Sequence, residues 1–123
     1  MSIATIAILA NFSAAASVAG ETVTFQRGNL SVNVTAVPGK TQLYSDDGAG
    51  ARIEAVADDF RVRAADLILG GAVVIPQSLD RIIRTLNGQI LAYEVMAEKP
   101  FDPCDPQGLT IRLHTKQVGA ITP

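Results

Sequence analysis

The sequence predicts a mainly β protein: a small antiparallel β-barrel or sandwich with an N-terminal helix and long loops. Three observations predict it. Beyond residue 20, apolar and polar residues alternate over most of the chain, as strands with one buried face require. Turn-forming dipeptides interrupt that alternation at short spacing. Residues 2–18, by contrast, are small, apolar and uncharged.

Composition narrows the function classes. A chain of 123 residues is one domain on the usual length scale. Hydrophobic content is 48%, aromatic content only 5%, and Trp is absent, so Val, Ile, Leu and Ala must build the core. The formal charge is −2, from 12 acidic and 10 basic side chains scattered along the chain. No basic patch forms, so DNA could pass this protein without being gripped or read. Cys104 is the only cysteine, which excludes an intramolecular disulfide and a multi-cysteine metal site.

The elements follow in order. Ser2 is a suitable N-cap, and the Ala-rich run to Val18 favours a helix of about 24 Å. On a helical wheel Ile3, Ile6, Ile8 and Phe12 point in different directions. A helix that is apolar nearly all round needs cover on several sides. This gives two segments, a helix or arm over residues 1–19 and a β-barrel domain over 20–123. From Glu21 the period becomes two. Val23 and Phe25, then Leu30, Val32, Val34 and Ala36, flank the turn Gly28-Asn29. A polar loop spans Thr41 to Gly50. Strand patterns resume at Ile53, Ala55 and Ala57, then at Phe60, Val62 and Ala64, and Gly70-Gly71 breaks the chain. Asn87-Gly88 joins a strand from Ile82-Ile83 to one from Ile90 to Met96. After the Pro-rich loop Pro100 to Pro106, Leu109 to Lys116 supplies the last strand. Six or seven short strands favour a compact antiparallel barrel or sandwich.

Catalytic and metal chemistry has little support. Asp46-Asp47 and Asp58-Asp59 are adjacent carboxylates, which point apart in a strand and read as solvated acids. Asp102 and Asp105 flank Cys104, too few oxygens for a hard cation. No phosphate-cradling glycine loop, metalloprotease helix or serine elbow occurs. Cys104 has no recognisable base, and His114 reads as a satisfied or solvent-facing imidazole in a strand. No catalytic, cofactor-binding or metal residue is assigned, and Cys104→Ala and His114→Ala are expected to leave function intact.

The stretch from Asp59 to Gly119 resembles the head–tail joining proteins of long-tailed phages and prophages. Its features are Asp59-Phe60-Arg61-Val62, Ala65-Asp66-Leu67, Pro76-Gln77-Ser78-Leu79-Asp80-Arg81-Ile82, Tyr93-Glu94-Val95, and Asp105-Pro106-Gln107-Gly108 leading into Ile111-Arg112-Leu113-His114-Thr115-Lys116. Members often have Gly just before the turn aspartate, where this chain has Leu79. The resemblance implies a structural virion protein of the neck, assembled in the host cytoplasm. Six or twelve copies would form a ring between a portal or adaptor protein and a tail terminator or tail tube protein. The ring would line or close the DNA channel, with no cofactor and no membrane. The apolar arm then offers Ile3, Ile6, Leu9 and Phe12 as subunit-interface candidates. The loops Thr41–Gly50 and Phe101–Gly108 offer Asp46, Asp47, Asp102 and Asp105 as channel or docking candidates. A rival reading is an exported ligand-binding β-domain whose first nineteen or so residues are a cleaved signal. The missing basic n-region and the polar Asn11 and Ser13 argue against it.

Overall fold

The computed structural model describes residues 3–46, 50 and 52–121. It is a closed antiparallel barrel of six strands with one helix on its outer wall. The helix, α1, spans Ile3–Ala19. The strands are β1 (Glu21–Arg27), β2 (Leu30–Asp46), β3 (Arg52–Arg63), β4 (Ile68–Leu69), β5 (Ala72–Val73), β6 (Arg81–Leu86), β7 (Gln89–Val95), β8 (Phe101–Pro103) and β9 (Thr110–Ile121). The wall runs β3-β2-β1-β6-β7-β9, and β9 closes it by pairing with β3.

Both predicted hairpins form at the predicted dipeptides. Arg27 pairs with Leu30 across Gly28-Asn29, where Gly28 alone takes positive φ (59°), the pattern of a type II′ turn. Leu86 pairs with Gln89 across Asn87-Gly88, where both residues have positive φ (51° and 78°), as type I′ demands. The predicted break at Gly70-Gly71 is itself the turn of a third, very small hairpin, β4–β5. Its strands are too short to leave an alternation signal, yet Leu67 and Leu69 before the turn are buried in the core.

Alternation decides which residues fill the barrel. Val23, Phe25, Val34, Ala36, Phe60, Val62, Ile82, Leu91, Tyr93, Ile111 and Leu113 point inward and form one cluster. Phe60 and Tyr93 meet edge to face with centroids 5.1 Å apart. Arg84, on the same face of β6 as Ile82, lies over Phe60 and closes one end by pairing with Glu21 at 2.6 Å. Burial alone would lower the Arg84 pKa, but bonds to Glu21 and Tyr93 outweigh it and raise the value. The opposite end is closed by the turn Pro76–Asp80. Arg27 forks onto Asp80 at 2.8 and 2.7 Å and also donates to the Ile75 carbonyl at 2.8 Å. The Gln77 amide donates to the same carboxylate at 2.8 Å. Leu79 takes φ 75°.

Two elements extend past the closed wall. Beyond Ala36 and before Asp58, β2 and β3 pair only with each other among the described residues, as a two-stranded ribbon. On the other flank, β7 separates from β9 after Val95, and β8 occupies the vacated edge against Ile111 to Leu113.

Candidate functional site

Interest concentrates on the outer wall over β3 and β9, where α1 and the segment 96–109 both dock. On β3, Asp59, Arg61 and Arg63 face outward, because Phe60 and Val62 face the core. Helix α1 lies against this wall through Thr5, Ile8, Leu9, Phe12, Ala15 and Ala16, the positions of one helical face that are at least half-buried. Phe12 is 2% exposed, under the guanidinium groups of Arg61 (5.7 Å) and Arg63 (5.5 Å). Arg63 also donates to the Ser13 hydroxyl at 2.8 Å. On the opposite face of α1 the apolar side chains stand open: Ile3 is 87% exposed, Ile6 53% and Val18 90%. Of the four interface candidates, Phe12 is therefore engaged by the chain's own wall, Leu9 is half-buried, and Ile3 and Ile6 are free.

Beside α1, a polar cluster centred on two buried residues joins four strands. His114 of β9 lies directly across from Asp59 of β3. Its Nδ1 is 2.9 Å from an Asp59 oxygen and its Nε2 is 2.8 Å from an oxygen of Asp102 on β8. Thr41 donates its hydroxyl to the other Asp59 oxygen, and Lys99 lies 3.3 Å from Asp102. Burial raises the Asp102 pKa, but the bonds from His114 and Lys99 prevail and hold it below the usual carboxylate range. Asp105 serves the same segment differently. It accepts amides of Gln107, Leu109 and Thr110 and the Thr110 hydroxyl, folding the loop into β9. Burial raises its pKa too, and those four bonds lower it further than burial lifts it.

The sequence reading took Asp58-Asp59 as solvated acids; Asp59 is in fact 2% exposed. The period-two pattern marks position 59 as outward-facing, and nothing local reveals that β8 and Thr41 cover that face. His114 is satisfied, as read, and is fully buried. Both its ring nitrogens already face carboxylates, so neither is left for the exposed Cys104 thiol. Asp46 ends β2, and Asp47 lies outside the described residues. Among the described residues, no group of three His, Cys, Asp or Glu could hold a metal ion. No helix among them is long and apolar enough to cross a membrane.

A family described as phage head-tail joining protein matches residues 1–122. The chain belongs to that family. No curated protein matches it. As a head–tail joining protein it is a structural component of the virion at the head–tail junction, where it associates with head and tail parts. The match begins at residue 1, so α1 lies within the family's pattern as fully as the barrel does.

Proposed function

We propose that this head–tail joining protein forms a closed ring in the neck and lines or closes the DNA channel without catalysing a reaction. The observation that carries the reading is the outward face of α1. Ile3, Ile6 and Val18 are exposed on a helix with no acidic residue in its first turn and no basic residue in its last. Such a surface is covered favourably only by another apolar surface, at about 25 cal/mol per Å² removed from water. Head-to-tail contact between identical copies supplies that cover once per subunit and closes on itself. On this reading the helix stays on the mature chain, and the ring has the six or twelve copies that the family resemblance implies.

The β2–β3 ribbon is the segment best suited to face the channel. Its strand β2 ends at Asp46, with Asp47 next in the sequence, and acidic charge there would repel DNA phosphate and let it slide. The opposite end of the barrel exposes Leu30, Ile68, Val73 and Ile75 around the Gly28-Asn29 turn, a face suited to a portal-side or tail-side neighbour. The test is assembly in a phage lacking the native gene. Ile3→Asp with Ile6→Asp should leave a folded monomer whose heads stay tailless. Normal joining by that variant would rule out α1 as the subunit contact.

A further inference from the structure

We propose that the wall beside α1 carries an anion-binding notch, built on Arg61 and Arg112, that accepts a carboxylate from an acidic segment of a partner protein. Arg61 and Arg112 are direct cross-strand partners on the outer face of β3 and β9. Like charges placed opposite each other on neighbouring strands destabilise a sheet. The nearby carboxylates offset this only in part, Asp59 forming a loose ion pair with Arg112. Asp59 accepts from His114 and Thr41 and lies 3.7 Å from the Arg112 Nε, beyond hydrogen-bond reach. Asp102 is engaged by His114 and Lys99.

Both guanidinium groups thus keep donors open among the described residues. Arg61 lies over the Phe12 ring, and its buried Nε has no hydrogen-bond partner among the described residues. Both arginines line one pocket of about 370 Å³, together with Thr41 and Cys104. A planar oxyanion seated between two guanidinium forks would satisfy those donors and remove the repulsion. A carboxylate suits the notch better than a nucleic-acid backbone. Asp102 stands on the rim with 42% of its side chain exposed, and a phosphodiester chain would bring further negative charges against it.

The proposal stands on the arginine pair and does not need a ring. The acid comes either from a second copy, whose sequence carries Ser45-Asp46-Asp47-Gly48, or from another protein of the neck. The test is a nuclear magnetic resonance titration of the full chain, following the arginine Nε–H signals. The probes are the peptide Ser-Asp-Asp-Gly-Ala-Gly, the same peptide with both Asp replaced by Asn, and inorganic phosphate. The acidic peptide should shift Arg61 and Arg112 saturably and the Asn peptide should not. Arg61→Gln or Arg112→Gln should each weaken binding about tenfold. Arg61, not Arg112, lies over the Phe12 ring, so the Arg112 variant leaves that helix contact in place. Assembly of the Asp46→Asn, Asp47→Asn chain then identifies the source: impaired like Arg112→Gln if a second copy donates the acid, unimpaired if another protein does. Unmoved arginine signals, undiminished binding by the double arginine variant, or tighter binding of phosphate than of the peptide would each overturn the proposal.

Discussion

His114 shows how much a single residue can conceal in a sequence. Its place in an alternating strand was legible; its burial between Asp59 and Asp102 was not, because those partners lie 55 and 12 positions away. Read from sequence, His114→Ala is harmless. In the fold it removes one partner of the buried Asp59, which keeps Thr41 and Arg112, at a cost of about 2 kcal/mol that urea unfolding should register. Cys104→Ala, at an exposed thiol, should leave the same curve unchanged. Asp105 sets a pH dependence. A carboxylate whose folded pKa lies below its unfolded value, about 3.9, contributes stability above that value and loses it as pH falls through the folded pKa. Acid should therefore lower the melting temperature of the native chain below about pH 4 more steeply than that of Asp105→Asn. Leu79 carries strain, with φ 75° and its side chain 70% exposed. Leu79→Gly should stabilise the fold by about 0.5–1 kcal/mol, since relief of the left-handed penalty exceeds the entropy glycine adds to the unfolded chain. An unchanged or lower melting temperature would show that the strain lies elsewhere.

Among the elements, those with a period or a turn dipeptide were readable. β1, the first part of β2 to Ala36, and β9 carry clean alternation, and the Gly28-Asn29 and Asn87-Gly88 turns fixed two registers without tertiary information. Residues 41–46, read as part of a polar loop, instead continue β2, because β3 pairs with them as far as Asp46. β4, β5 and β8 hold two or three residues each, below the length at which period two can be seen, and β8 also sits in a Pro-rich run. Helix α1 was legible as a helix, but its inward face was not, because nearly every position is apolar. Phe12 was read only as a contact for neighbours, whereas the long-range partners Arg61 and Arg63 bring it onto the chain's own wall. Phe12→Ala should cost about 3 kcal/mol of barrel stability through the lost packing. Ile3→Ala, at an exposed position, should cost almost nothing in the isolated chain. Equal losses at both positions would mean that α1 packs differently from the arrangement described.

At the scale of the whole molecule, the barrel needs no partner to close, since β9 completes the wall against β3. What it leaves incomplete is the outer surface: the uncharged face of α1 and the β2–β3 ribbon projecting beyond the wall. A joining protein held in a ring would use both, the helix between copies and the ribbon toward the axis. Fold class followed from pattern and family from motif, but neither could supply the arrangement of copies, which depends on surfaces that only the fold assembles. A cryo-electron microscopy reconstruction of the assembled neck tests that arrangement most directly. The account predicts a closed ring of six or twelve copies about the tail axis, with Ile3 and Ile6 of each copy buried against the next. Copies that touch through other surfaces while α1 remains in solvent, or copies that form no closed ring, would contradict it.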